Sequence, residues 1–478
     1  MTAYGNLLGI LWPESILEIV SLLVLVADLG FMRRATMAAR MRVAALLGTL
    51  GTLLSIVWLL THSGFATVMG GALVSTSPVV AAQVGILGLT ALVLLLGVSA
   101  RFTRNPGEYV ALVLLATTGM MLVAAARDLL IIFVALELLS LSLYILSAFA
   151  KHSAASAEAA LKYYLFGGMS AAFMLFGFSY LYGITGTTSL PAIAASLALA
   201  PLAPITLVAL VLVAVGLGFK VAAVPFHLWA PDTYLGAPAP VAALIASGSK
   251  VASFAVLIAV TAALAPAWGW TLTLLWMAGA SIILGNLAAL VQSSVRRILA
   301  CSAIAHAGYM LLGIAAHTLA GDRAVLTYAL TYALTTVGAF GVVAIVERDA
   351  GTDRLDAFAG LSVRSPLLAA SLLVFLLSLA GIPPLVGFWV KFQMFAAVLR
   401  APLAAGWGLG MVIFAIAGSA VSLYYYLQVL KRAYVAPATE MRTLEVARLE
   451  LLLLVAIAVA VLVLGIFPGV LMRWLPTL

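Results

Sequence analysis

Charge is what this sequence has least of: only 8% of its 478 residues are Asp, Glu, Lys or Arg, against 65% hydrophobic. Soluble domains carry about 25% charged residues, so water is not this chain's only solvent. Cysteine is nearly missing as well. Cys301 stands alone, which excludes an intrachain disulfide and any thiolate cluster for zinc or iron–sulfur, and leaves it to be read as a small buried residue. No glycine-rich loop follows a strand pattern, so a nucleotide or flavin site has no support. Neither metal-ligand spacing nor a Ser/His/Asp nucleophile arrangement stands out. The N-terminus lacks the basic start of a signal peptide, and Glu14 and Glu18 interrupt its apolar run. The formal net charge of +8 suggests nucleic acid at first sight. Its basic residues lie in short loops between apolar stretches, however, so nucleic acid is set aside as a partner.

What the chain does have is apolar stretches of about 20 residues, each long enough to cross a bilayer as a helix. About 14 such spans are expected, making an all-α integral membrane protein whose partners include the lipid bilayer. The loops are too short for a soluble domain. One set of alternate loops holds 17 Lys and Arg residues, from Arg33, Arg34 and Arg40 through Lys151, Lys162, Arg296 and Arg297 to Lys431, Arg432, Arg442 and Arg448. The other set holds only Arg127, Arg323, Arg400 and Arg473. The bias makes the rich side cytoplasmic and both termini periplasmic, in a bacterial inner (plasma) membrane.

Two spans are irregular. Gly381-Ile382-Pro383-Pro384 interrupts the run from Pro366 to Leu399, and the run starting near Pro204 ends in Lys220-Val-Ala-Ala-Val-Pro225. Proline removes a backbone donor and clashes with the preceding turn, and a broken helix at membrane depth survives only where protein or a wet cavity satisfies the freed groups. The broken spans are the seventh and twelfth. A five-helix unit repeated once enters the membrane from opposite sides, which predicts two inverted repeats. The expected organisation is helices 1–3 over residues 1–98, helices 4–8 over 99–262, helices 9–13 over 263–431, and helix 14 over 432–478. Paired broken helices in corresponding halves are a sequence pointer to a transporter's ion site.

Four ionisable side chains lie deep in spans: Glu137, Lys220, Lys250 and Lys391. Each central charge costs about 2.5–3.5 kcal/mol on the insertion scale, roughly 10–14 kcal/mol for four left unpaired. Together they predict a chain of protonatable sites across the middle of the membrane. Burial disfavours an ammonium and a neighbouring carboxylate favours it, so a Glu137–Lys220 pair would hold a proton until it is weakened. Lys250 is then the recipient and Lys391 the outlet. The competing reading is structural ion pairs or lysines reaching to the interface. His306 is intramembrane and suited to relaying protons, or else a structural histidine bonded to a neighbouring helix. His227, just past the first break, is expected to cap a loop in preference to relaying protons, and His62, His152 and His317 to be interfacial. Glu14 and Glu18 share a helix face, where packing against a partner or a wet interface is favoured over conduction; Asp28 is left without a role.

These residues resemble the antiporter-like subunits of NADH–quinone oxidoreductase, respiratory complex I, over nearly the whole chain. The resemblance is carried by Glu137-Leu-Leu-Ser-Leu-Ser-Leu-Tyr144, Ala157-Glu158-Ala-Ala-Leu-Lys162-Tyr163-Tyr164, Lys220 through Pro240 with Val224-Pro225-Phe226-His227-Leu228-Trp229-Ala230-Pro231-Asp232, and Gly381 through Lys391. It implies 14 helices, inverted five-helix repeats, and a glutamate–lysine proton relay falling on Glu137, Lys220, Lys250 and Lys391. Lys391 and the sequence around Lys162 resemble subunit N; a sister subunit carries glutamate in the twelfth span and another a long lateral helix. The resemblance further implies other membrane subunits of complex I as partners, with NADH, FMN, iron–sulfur clusters and quinone held by partner subunits and no cofactor bound by this chain. Two rivals stand beside it: a subunit of a multisubunit cation/proton antiporter or membrane-bound hydrogenase, and a passive membrane scaffold.

Overall fold

The computed structural model describes residues 2–62, 64–199, 203–402, 406–438 and 443–470. Arg442 and Arg473 of the charge argument lie outside the described residues, as do Met1 and the last eight residues. Thirteen helices among the described residues are long and apolar enough to cross a membrane. The broken pair Pro366–Ala380 and Val386–Arg400 supplies a further crossing, so the 14 expected spans are present.

The first three spans are α1 (Thr2–Val26, widening into a π turn over Ala27–Phe31), α2 (Met37–Thr61) and α3 (Ser77–Leu96). A small hairpin, β1 (Ala66–Val68) and β2 (Leu73–Ser75), joins α2 to α3. Gly70 and Gly71 at its tip take φ 67° and 91°, the left-handed region that glycine enters without a Cβ clash. Asp28, left unassigned by the sequence, clamps this end of the molecule. Its carboxylate accepts from Arg40 Nε (2.6 Å) and Nη2 (2.8 Å), and from the Gly107 backbone N–H (3.0 Å).

The next spans are α4 (Pro106–Ala125), α5 (Leu129–Ser147) and α6 (Ala154–Thr185). They are followed by a short helix α7 (Leu190–Leu199), then α8 (Pro204–Val221), α9 (Trp229–Gly236), α10 (Ala239–Ala246) and α11 (Gly248–Leu264). Prolines 106 and 204 open their helices at a position where a missing N–H is harmless. Asp128 caps α5 by accepting from Leu130 N (2.9 Å), and Ser153 caps α6. The break after α8 is where it was expected: Ala222 takes φ 58°, and turns carry the chain to α9. The short α7 was not expected, because ten residues fall below any window tuned to a membrane crossing. A third break was not expected either. The eighth span stops at Ser247 (φ −117°, ψ −88°) and restarts as α11, a kink at a Ser-Gly pair that needs no proline.

The second half runs α12 (Trp268–Leu290), α13 (Val295–Ile314), α14 (Leu319–Ala350), α15 (Leu361–Arg364), α16 (Pro366–Ala380), α17 (Val386–Arg400), α18 (Gly408–Tyr434) and α19 (Arg448–Ile466). It reuses the devices of the first half. Both α6 and α14 are 32 residues long, start at a Ser or Thr cap and end at a left-handed glycine, Gly186 or Gly351. Leu129 N bonds Thr188 O and Leu190 N bonds Arg127 O; five spans later Val295 N bonds Asp353 O and Leu355 N bonds Ser293 O. The second break occurs where Gly381 takes φ 89° and ends α16. Both breaks contain a cis X–Pro bond, Val224–Pro225 and Pro383–Pro384.

Burial locates the centre of the bundle. The best window of α13 is 94% buried and that of α10–α11 is 89%, whereas α1, α18 and α19 reach only 28%. The peripheral helices therefore offer most of their surface to a bilayer or to neighbours, and α10, α11, α13 and α14 form the interior, which carries Lys250 and His306.

Candidate functional site

Each deep lysine lies beside a helix break. Lys220 is in the last turn of α8, Lys250 is three residues beyond the Ser247 kink, and Lys391 is on α17 just after the second break. All three are buried, with 7%, 1% and 5% of their surface exposed. None has a carboxylate within 4.0 Å among the described residues. Their ammonium groups are held instead by hydroxyls and by backbone oxygens.

Lys220 donates to Ser140 Oγ, and Ser140 in turn donates to Leu136 O. The expected direct Glu137–Lys220 ion pair is not formed. Glu137 is half-buried on α5, three residues before Ser140 and so on the same helical face. The Lys220 ammonium also sits 5.8 Å from the Tyr144 ring centroid and 5.5 Å from that of Phe219. Aromatic faces of this kind attract a desolvated cation.

Lys391 closes the second break. Its Nζ donates to Leu379 O (2.9 Å), Ala380 O (3.0 Å) and Ser419 Oγ (2.8 Å). Leu379 and Ala380 are the last residues of α16, whose carbonyls lose their partners where the helix stops. An ammonium there meets both the freed acceptors and the negative end of the helix dipole. The turn before is closed alike at both breaks: Ala222 N and Ala223 N cap Phe219 O and Gly218 O at the first, and Gly381 N and Ile382 N cap Ser378 O and Leu377 O at the second, with Trp229 Nε1 adding a bond to Phe219 O (3.0 Å).

Lys250 donates to Ala303 O (2.5 Å) on α13 and lies 5.5 Å from the Tyr332 ring centroid. His306, one turn along from Ala303, is 2% exposed and stands between Lys250 and Lys391, close enough to feel both charges. Its ring packs 4.8 Å from Tyr332, the ring beside Lys250, and 5.8 Å from Tyr309, the ring beside Lys391. Its Nδ1 bonds Tyr328 Oη (2.8 Å) and its Nε2 meets Tyr426 Oη (3.4 Å). Both partners are hydroxyls, which donate or accept, so either tautomer and the protonated ring can be accommodated. Tyr426 Oη also bonds Ser302, while Asn286 links Tyr309 (3.3 Å) to Tyr425 (3.2 Å). No hydrogen bond joins Lys220 to Lys250 among the described residues.

Several of these partners escaped the sequence. Ser140, Ser419, Tyr328, Tyr332 and Tyr426 are ordinary residues of apolar helices, and only their contacts distinguish them. The other candidates separate clearly. Glu14 is buried and accepts from Gln83 Nε2 (3.2 Å), whereas Glu18 is exposed. His227 does not cap α9 with its side chain. His62 is exposed and stacks on Trp58, His152 is exposed, and His317 bonds Thr271 (2.7 Å). Lys162 lies inside α6, bridging Glu158 (2.7 Å) and Asp232 (2.6 Å), and Asp232 also holds Arg297 (2.7 Å). Among the described residues no three His, Cys, Asp or Glu side chains gather as metal ligands.

Comparison with known proteins gives the same direction. The profile described as NADH:quinone oxidoreductase/Mrp antiporter, transmembrane, matches residues 126–417, which contain all four deep ionisable residues and His306. NADH-quinone oxidoreductase subunit N 2 of Acidobacterium capsulatum is 49% identical, with 99% of each chain covered. F(420)H(2) dehydrogenase subunit N of Methanosarcina mazei is 44% identical over 71% of each. A chain of respiratory complex I from Thermus thermophilus, solved with bound aureothin, superposes with a TM-score of 0.81 at 36% identity, covering 96% of this chain and 98% of that one. The chain thus belongs to the NADH:quinone oxidoreductase/Mrp antiporter family of membrane subunits, in its subunit N branch.

Proposed function

We propose that the chain is the proton-translocating subunit N of an NADH–quinone oxidoreductase, moving protons through Glu137, Lys220, Lys250, His306 and Lys391 while partner subunits carry the electrons. The observation that carries the relay is the placing of His306, whose ring packs on the two tyrosines that flank Lys250 and Lys391. Three buried ammonium groups and one buried ring lie inside the bundle, with no carboxylate within 4.0 Å of the lysines among the described residues. A scaffold gains nothing from such a set, since each charge raises the cost of insertion.

In this reading a proton arriving at Glu137 alters the field at Lys220, whose own proton is held by one hydroxyl and two aromatic faces. That proton passes to Lys250, and because no hydrogen bond joins the two lysines among the described residues, water carries it. His306 then hands a proton between Lys250 and Lys391, using the tyrosine hydroxyls on both ring nitrogens. Lys391 releases it from the second break when its hold on the α16 carbonyls loosens. Residues 99–262 and 263–431 form the two inverted halves of this path, a proposal supported by the repeated strand-like bonds that follow Arg127 and Ser293. Residues 1–98 and 432–478 flank them.

The partners include the other membrane subunits of complex I, and NADH, FMN, iron–sulfur clusters and quinone are bound by partner subunits. The setting is a bacterial inner membrane with both termini periplasmic. The deciding experiment is NADH-driven proton uptake by the purified complex in vesicles, with His306→Leu in this chain. Pumping per electron should fall with the complex assembled. Unchanged stoichiometry would remove His306 from the path.

A further inference from the structure

On the face carrying the basic loops, a cavity of about 440 Å³ opens where five helix ends meet. The end of α3 reaches it through Leu96 and the start of α6 through Ser153 and Ala155. The start of α10 contributes Ala239, the end of α14 Arg348, and the start of α19 Glu450. Since membrane helices end at the headgroup layer, the cavity lies at headgroup depth.

Its lining has two parts. Leu96, Val337, Phe340 and Ile345 make an apolar wall running down between α3 and α14. Above them lie three guanidinium groups, Arg101, Arg296 and Arg348, and two carboxylates. Arg348 is matched by Glu450 in a two-bond pair (2.8 Å each), and Arg296 by Glu347 (3.1 and 3.2 Å) together with Ala237 O. Two donors are left over. Arg296 Nε is buried with no partner, in a residue only 3% exposed, and Arg101, exposed at the rim, has no carboxylate within 4.0 Å among the described residues. A buried charged donor without an acceptor is costly, and the surplus charge is positive.

We propose that this cavity is a binding site for one anionic phospholipid, its phosphate taken by Arg101 at the rim, in the net positive field of three guanidinium groups against two carboxylates, and its first acyl methylenes laid along the apolar wall. The volume suits a headgroup with the beginning of a chain, the rest of the lipid lying in the bilayer. Basic pockets between helices at the cytoplasmic surface recognise acidic headgroups on these grounds. The bound lipid bridges α10, the half-helix that leads to Lys250, to α14, which carries Tyr328 and Tyr332, and so acts as a wedge between two walls of the proposed relay.

The test uses the assembled complex in phosphatidylcholine vesicles containing a photoreactive phosphatidylglycerol. Adducts should map to the ends of α3 and α14, and unlabelled phosphatidylglycerol should compete them away, whereas added phosphatidylcholine and inorganic phosphate should not. Arg101→Gln should weaken labelling by about fivefold, the factor expected for one basic residue near an anionic surface. Ala344→Trp, which fills the cavity, should abolish labelling in a complex that still assembles. Equal competition by phosphatidylcholine would overturn the headgroup recognition, competition by phosphate would make this a free-anion site, and labelling unchanged in both variants would remove the site altogether.

Discussion

The Lys220 ammonium on α8 is bound to the Ser140 hydroxyl on α5, one turn from Glu137 and not to its carboxylate. The serine thereby takes the position in which a direct ion pair was expected. A hydrogen bond to a charged group is worth about 1.5–3 kcal/mol, so Ser140→Ala should slow NADH-driven proton uptake by about tenfold or more, while Ser140→Thr keeps most of it. The measurement is pumping by the assembled complex in vesicles. Normal pumping in the alanine variant would make Ser140 a packing residue.

Glu137→Gln should depress both pumping and quinone reduction without loss of assembly, because Glu137 lies one helical turn from Ser140, the residue that holds the Lys220 ammonium. A double-mutant cycle of Glu137→Gln with Lys220→Ala tests the coupling. The double variant should be little worse than either single one, since both interrupt one link. Strictly multiplicative defects would mean that the two residues act independently.

Lys391 holds the two carbonyls that end α16. Lys391→Glu places a negative charge against the negative end of a helix, a reversal worth roughly 1 kcal/mol or more beyond the lost hydrogen bonds. It should lower both pumping and the melting temperature of the complex, and Lys391→Met should lower pumping with a smaller thermal effect. Equal melting of the two variants would show that the α16 dipole plays no part.

The pair between Arg348 and Glu450 joins α14 to α19, with the Glu450 side chain 4% and the Arg348 side chain 34% exposed. Arg348→Ala strands a buried carboxylate and should destabilise by about 3 kcal/mol, the low end for a broken buried pair because the arginine is partly solvated. Adding Glu450→Gln should recover part of that loss. Thermal melts of the detergent-solubilised complex decide it, and a double variant no better than Arg348→Ala would contradict the account.

Orientation is testable without any assay of function. On a Cys301→Ala background, cysteines at Ala38 and Val435 should react only with a reagent supplied from the cytoplasm, and one at Thr67 only from the periplasm. Labelling of Thr67 and Ala38 from the same side would invalidate the alternation of basic loops.

The sequence by itself determined the class of solvent, the number of crossings and two of the breaks. Hydropathy sums over 20 residues regardless of neighbours, and Pro225 and Pro383-Pro384 remove backbone donors and clash with the preceding turn, which favours a break there. It also picked out Glu137, Lys220, Lys250 and Lys391, because a charge inside a span is rare and costly whatever lies beside it. Which side chain each charge meets was decided by the tertiary structure alone. A membrane helix is apolar toward lipid and toward its neighbours alike, so no periodicity marks the inward face. Hence nothing along α5 separates Ser140, which holds Lys220, from Ser142, and nothing along α14 marks Tyr328 and Tyr332 as the walls around His306. The Ser247 kink was hidden for a related reason: a Ser-Gly pair tolerates a helix as readily as it breaks one, and the break is made where α10 and α11 pack against α3, α4 and α14.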